Sequence, residues 1–223
     1  MKYSRSVAFI FKPEKPYVQE CISFLKNLEF NVDEYSGSVG DKFPEKIYIN
    51  QYDYIISYIS PWIIPEAVLS KTKLLNINFH PGPPNYPGIG AFNFALINKE
   101  TSFGATAHIM NTKVDTGKII DVIRFPINDS FNVNDIAKKT YQSLYELFKI
   151  VLLKLNDDAN IEYANDQWTK EPFTRKQLES ISELDLNISQ DELDEKIRVL
   201  YYPNKPAPYI TIHGKKFEYN PDR

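Results

Sequence analysis

Leu74-Leu75-Asn76-Ile77-Asn78-Phe79-His80-Pro81-Gly82-Pro83-Pro84-Asn85-Tyr86-Pro87-Gly88-Ile89-Gly90 is the stretch on which the reading of this chain turns. It opens as a short, partly β-branched apolar run and is stopped by proline, the pattern of a buried strand with an abrupt end. A strand's period of two places Asn76, Asn78 and His80 on one face and Ile77 and Phe79 on the other. In a sheet covered on both faces such a polar file must find hydrogen-bond partners or open onto a cavity, because each unpartnered buried amide or imidazole costs roughly 1–3 kcal/mol. The proline-glycine run puts the file at the strand's carboxyl end, where open α/β sheets place ligands.

Upstream, Ser6 to Phe11 reads as another buried strand, and Tyr17 to Asn27 carries Val18, Cys21, Ile22 and Leu25 at helical spacing. Tyr54-Ile55-Ile56-Ser57-Tyr58 is a further central strand. Downstream, a helix-compatible segment spans Ala91 to Asn98. Two strands follow, Gly104–Met110 and Lys118–Phe125, close enough to pair as an antiparallel hairpin across Asp115-Thr116-Gly117. A long amphipathic helix from Val133 to Leu155 closes this unit, and the polar stretch Asn156 to Asn160 follows it. Strands alternating with helices predict an α/β fold, a Rossmann-like and mostly parallel sheet flanked by helices.

Residues 1–160 form the expected main domain and 161–223 a small C-terminal subdomain. The latter is read as a charged, turn-rich segment, then a helix started by the capping box Ser189-Gln190-Asp191-Glu192 and reaching Leu200. Tyr209–Ile212 and Lys216–Tyr219 then flank His213-Gly214-Lys215 as a hairpin.

At 223 residues the chain can bury a core without disulfides or a structural metal. Its single cysteine, Cys21, excludes an internal disulfide and any multi-cysteine zinc site, which fits the cytoplasm. The apolar run Val7 to Phe11 is far shorter than a signal-peptide core or a membrane span, so no membrane association is expected. A formal net charge of −3 argues against nucleic acid as a partner.

Asp115 can be brought by its turn beside the Asn78–His80 strand, where a carboxylate would orient the imidazole and raise its basicity. An amide donor, a poised histidine and a carboxylate suit acyl transfer, with Asn78 donating to the oxygen that becomes negative. Taken singly, each residue also has a structural reading. A histidine beside proline is often structural, and aspartate before Thr-Gly is an ordinary turn residue. His108 reads as a satisfied strand histidine lining the same region, and His213 as a hairpin-tip residue. No pair of the three histidines has the i, i+4 spacing of a zinc motif, so no metal is expected.

Together, Asn78-Phe79-His80 and, about 35 residues on, Asp115-Thr116-Gly117 resemble the signature of the 10-formyltetrahydrofolate-dependent formyltransferase family. The resemblance runs from Asp53 to Phe125 and weakens toward both ends. It includes Ser57 to Pro65, which looks like that family's folate-binding loop. It implies an enzyme whose catalytic domain is residues 1–160. Asn78 would polarise the formyl oxygen, His80 would take part in proton transfer, and Asp115 would orient His80, with no metal. Tyr58, Ile59, Ser60, Trp62, Ile63 and Ile64 would line the cofactor crevice, largely through backbone groups.

Within that family the chain lacks the length and basic character expected of the enzyme acting on initiator methionyl-tRNA. Near Phe11-Lys12-Pro13 it lacks the glycine-rich phosphate turn of the glycinamide ribonucleotide enzyme. A deformylase relative would need an amino-terminal regulatory domain for which Met1 to Tyr35 leaves no room. His80 to Gly88 and Tyr202 to Ile210 instead look like the sugar N-formyltransferases. That likeness implies a nucleotide-linked amino sugar as acceptor, taken as dTDP-4-amino-4,6-dideoxyglucose, for surface polysaccharide such as O-antigen. It also implies a homodimer, for which Tyr209–Ile212 and Phe217–Tyr219 could supply the contact.

Two other classes compete. Asp-Thr-Gly is also the aspartic-protease triplet, but Lys118 stands where a small residue belongs and the remainder reads as α/β. A non-catalytic binding module would be marked by loss of Asn78, His80 or Asp115, and all three are present.

Overall fold

The strands expected at Ser6, Tyr54 and Leu74 lie side by side in one sheet of a computed structural model. The structure describes residues 4–157 and 161–221. In chain order its elements begin with β1 (Ser6–Phe11), α1 (Val18–Asn27), β2 (Asn31–Ser36), α2 (Lys46–Ile49), β3 (Tyr54–Tyr58) and α3 (Glu66–Leu69). Next come β4 (Leu75–His80), α4 (Ala91–Ile97), β5 (Ser102–Ile109), β6 (Ile119–Pro126) and α5 (Val133–Asn156). The chain closes with α6 (Arg175–Ser182), α7 (Gln190–Leu200), β7 (Tyr209–Ile212) and β8 (Lys215–Glu218).

The main sheet has the order β2-β1-β3-β4-β5-β6. β1 to β4 run parallel, β5 pairs antiparallel with β4, and β6 antiparallel with β5. Only β5 is therefore reversed, the mixed architecture expected of the chain. One face carries Val7, Phe9, Ile56, Tyr58, Ile77, Phe79, Ala105 and Ala107 into a core closed by α1 and α5. Phe148 of α5 anchors that core, with ring centroids 4.9 Å from Phe79 and 5.9 Å from Phe9 and Tyr58. Truncating such a residue costs roughly 3–5 kcal/mol.

The opposite face decides where the site lies. Over β1 and β3 it is apolar, with Ala8, Ile10 and Ile55 packed under α2, α3 and Ile64. Over β4 and β5 the strands present Asn76, Asn78, His80, Thr106 and His108, and the end of α3 reaches Asn76, which donates to the Leu69 carbonyl at 3.0 Å. Beyond that contact the cover comes from loops, in residues 81–90, 111–118 and 161–174.

Several elements went unread in the sequence. β2 has a mostly exposed pattern because it is an edge strand, so little apolar alternation marks it. α2 and α3 are single turns of 4 residues, too short for a helical period to show. α6 lies in the segment read as turn-rich, yet it carries a full capping box between Thr174 and Gln177. The box expected at Ser189 and Glu192 is present. The C-terminal hairpin turns on two residues, His213 and Gly214, both with positive φ, and Lys215 already pairs with Ile212. That corrects the three-residue turn, because two left-handed residues match the strand twist.

The polar stretch Asn156 to Asn160 and the expected boundary after residue 160 fall partly on residues 158–160, outside those described. Beyond them, Val199 and Leu200 share a core with Tyr86, Phe103, Ile127 and Ile136. Among the described residues no helix is long and apolar enough to cross a membrane.

Candidate active site

β4 delivers Asn78 and His80 to the polar face because the two positions are one strand period apart. β5 places His108 directly opposite Asn78, and Thr106 opposite His80. The β5–β6 connection then folds back over these residues. Asp115 sits in it with φ 47°, a left-handed conformation that aspartate tolerates better than most residues. The following Gly117 packs against the Ile109 carbonyl so closely that any side chain there would collide with it.

The result is a carboxylate shared by two imidazoles. Asp115 Oδ2 lies 3.1 Å from His80 Nδ1, and Asp115 Oδ1 lies 3.2 Å from His108 Nε2. Asn78 Nδ2 is 3.0 Å from His108 Nε2 and donates to Asp115 Oδ1 at 3.4 Å. The Gly88 N–H donates to Asp115 Oδ2 at 2.8 Å. His80 Nε2 donates to the Tyr86 carbonyl at 2.9 Å, and His108 Nδ1 donates to its neighbour Ile109's carbonyl at 2.8 Å. Both ring nitrogens of His80 thus face oxygen acceptors, so the doubly protonated ring satisfies both.

His80, His108 and Asp115 are each 5% exposed or less, whereas Asn78 is only half-buried. Burial on its own would raise the pKa of Asp115. The charge of His80, the hydrogen bond from His108 and the Gly88 N–H outweigh that and hold it at about 2. A buried carboxylate kept ionised between two imidazoles, beside a half-exposed amide N–H, can move a proton and donate to an oxygen that gains charge.

The three residues singled out in the sequence, Asn78, His80 and Asp115, are therefore brought together. His108, read as a satisfied strand histidine lining the same region, joins them directly. The clue was present: His108 alternates with apolar neighbours on a strand antiparallel to β4, but its register against Asn78 is a tertiary fact. The Tyr86 carbonyl and Gly88 N–H carry no side-chain signal at all. Among the described residues no group of three His, Cys, Asp or Glu side chains could hold a metal ion.

The loop after β3 leaves the sheet in the same direction as the end of β4, since Tyr58 pairs with Phe79. The Tyr58 side chain lies fully inside the core beneath the sheet and Ile64 in the core above it, so both could offer a ligand only backbone. Ile59 has φ 52°, a strained conformation for a β-branched residue. Ser60 Oγ accepts from the Trp62 N–H at 3.0 Å, Trp62 is half-buried, and Ile63 is 69% exposed. Nearby, Tyr86 is fully buried and Asn93 donates to the Val199 carbonyl at 2.9 Å, so both side chains serve packing.

Fold and site together define an α/β protein with an amide–imidazole–carboxylate centre set on the polar face of a central strand pair. The chain belongs to the formyl transferase family, whose model matches residues 31–152. It is 28% identical over 177 residues to a methionyl-tRNA formyltransferase from Ehrlichia canis, covering 79% of this chain and 55% of that protein. It spans about half, or less, of the length of the first curated relatives it matches.

Among solved structures it is similar to a sugar N-formyltransferase from a Shewanella species, with a TM-score of 0.76, 19% identity and 96% of each chain covered. An N-formyltransferase from Helicobacter canadensis, solved with folinic acid and dTDP-3-aminofucose, aligns with a TM-score of 0.71 at 17% identity over 95% of this chain and 85% of its own.

Proposed function

We propose that this chain transfers a formyl group from 10-formyltetrahydrofolate to the amine of a nucleotide-linked amino sugar, acting as a cytoplasmic homodimer. The observation that carries the reading is the carboxylate of Asp115 held between His80 and His108, with the Asn78 amide at the same point. Asn78 donates an N–H to the formyl oxygen as it gains negative charge. His80 takes part in moving the proton lost by the attacking amine. Asp115 holds the imidazole in place and stabilises its charged form.

The folate supplies the formyl group. The surface after β3 fits a flat ring: exposed Ile63, half-buried Trp62 and a strained Ile59 backbone stand at the same sheet edge as His80. Similar structures support the assignment, one of them solved with folinic acid and dTDP-3-aminofucose.

A second group of residues favours a phosphorylated acceptor. Lys12 follows β1 at that same edge, and burial lowers its pKa, with Lys15, Lys205 and Arg175 adding to the effect against a single carboxylate, Glu14. None of these four cations forms an ion pair with a described carboxylate. Four cations facing so little negative charge suit a diphosphate. For the dimer, β7 and β8 expose Ile212 and Phe217.

The test is a coupled assay with 10-formyltetrahydrofolate and a panel of dTDP-, UDP- and GDP-linked amino sugars, starting with dTDP-4-amino-4,6-dideoxyglucose. Tetrahydrofolate release and product mass are followed together. One formyl group gained on one panel member, lost in Asn78→Ala and His80→Ala, supports the reading. Turnover only on methionyl-tRNA or glycinamide ribonucleotide overturns the sugar assignment, and no turnover with any amine overturns the activity.

A further inference from the structure

Residues 161–174 run across the site as a strap. Its Ala164 N–H donates to the Ile119 carbonyl at 3.0 Å, and Phe173 N–H donates to the Pro87 carbonyl at 2.9 Å. Ile89 N–H returns a bond to the Phe173 carbonyl at 2.9 Å, and Gly88 bridges to Phe173. The strap therefore holds both loops that feed the buried array. One is the turn carrying Asp115. The other is the loop whose Tyr86 carbonyl and Gly88 N–H contact His80 and Asp115.

Midway along the strap stands Trp168. Its ring is nearly perpendicular to both imidazoles, with centroids 5.0 Å from His108 at 86° and 5.8 Å from His80 at 73°. Its Nε1–H donates to the Gly117 carbonyl at 2.8 Å, two residues beyond Asp115. Trp168 also lines a cleft of about 480 Å³, together with Gly117, Lys118, Tyr163 and Asp166. Trp168 is half-buried, as a partition between a closed array and an open cleft must be.

The geometry points to Trp168 as a positioning residue for formyl transfer: it fixes both imidazoles and the Asp115 turn against one indole and keeps cleft water off the array. This rests on the reading under Proposed function. The physical reason is twofold. A wall with no water behind it strengthens the interactions between Asp115 and the histidines, because screening falls with the local dielectric. A donor anchored at residue 117 limits how far the Asp115 turn can drift, and misplacing a reacting group by about 1 Å can cost roughly a hundredfold in rate.

The experiment uses two variants of the full chain. Trp168→Ala removes ring and donor together, whereas Trp168→Phe keeps an aromatic ring and removes only the bond to Gly117. In the coupled assay Trp168→Ala is expected to lower kcat roughly ten- to a hundredfold. KM for both substrates stays within about twofold and the pH–rate profile is displaced, while Trp168→Phe falls between Trp168→Ala and the natural protein.

A second readout needs no turnover. The chain has two tryptophans, so Trp62→Phe leaves Trp168 as the only indole. Its emission at one pH should shift when His80→Gln or His108→Gln is added in that background, since each variant removes a ring packed edge-on against the indole.

Natural kcat and pH profile in both variants, or emission unmoved by either histidine variant, overturns the inference. If no acceptor amine is ever formylated, the proposed reaction fails by itself, and the emission comparison still upholds or overturns the contact.

Discussion

His80 Nδ1 lies 3.1 Å from Asp115 Oδ2, with both side chains buried and the second carboxylate oxygen already engaged by His108. Asp115 thus serves two imidazoles, and its charge is needed by the fold as well as by any proton transfer. The contact lies on the face of β4 and β5. His80 is the last residue of β4, so the contact also stands at that strand's carboxyl end. The carboxylate reaches the site by folding back from the far end of a hairpin.

Acid stability follows from this contact. Asp115 is held at about 2, below its ordinary value of 3.8, because the histidines and the Gly88 N–H outweigh burial. Its stabilising contribution is therefore complete above about pH 4 and is lost as the pH falls toward 2, an effect on the order of 2 kcal/mol. Denaturant unfolding at several pH values should show this decline in the natural protein and a shallower one in Asp115→Asn.

Asp115→Asn also removes the negative charge that stabilises a protonated His80. Formyl transfer should fall by roughly 10²–10⁴-fold, the usual range for losing acid–base assistance. An unchanged kcat, measured by tetrahydrofolate release, would show that the ionised carboxylate is dispensable.

Asn78→Ala deletes the only half-exposed amide donor in the array. A loss of roughly 10²–10³ in kcat, with KM little altered, is expected of a donor that acts on developing charge. A rise in KM alone would instead assign Asn78 to ground-state binding.

Gly82 is constrained by its neighbour: a Cβ built there would stand 2.6 Å from His80 Nε2 and 3.1 Å from the Tyr86 carbonyl. Gly82→Ala should push the imidazole off the Tyr86 carbonyl and reduce kcat at least tenfold, by the same sensitivity of rate to placement. Far-ultraviolet circular dichroism should remain that of the natural protein. If activity survives, the His80–Tyr86 contact has no part in turnover.

Lys12→Ala and Arg175→Ala test the cationic group. Each should raise KM for a nucleotide-linked acceptor several-fold and weaken its dependence on salt, with KM for the folate unchanged. Equal effects on both substrates would place these residues away from the phosphates.

Much of this was legible in the chain itself. The alternation of apolar runs and helical spacing located β1, β3, β4, β5, β6, α1, α4 and α5, while a capping box marked α7 and a turn between two short runs marked β7 and β8. β2, α2 and α3 were silent, being an exposed edge strand and two single turns. α6 was announced by Thr174 and Gln177 and overlooked amid charged residues.

Local sequence determined that Asn78 and His80 share a face, since the strand period is fixed by backbone geometry, and that Asp115 occupies a turn. Only the tertiary structure decided what meets there. The β4–β5 register set His108 opposite Asn78, a hairpin connection folded Asp115 back between two rings, and a strap some fifty residues downstream laid Trp168 against both. Such contacts depend on strand pairing and loop path, which are settled by how the whole chain buries its apolar surface. No local period encodes them.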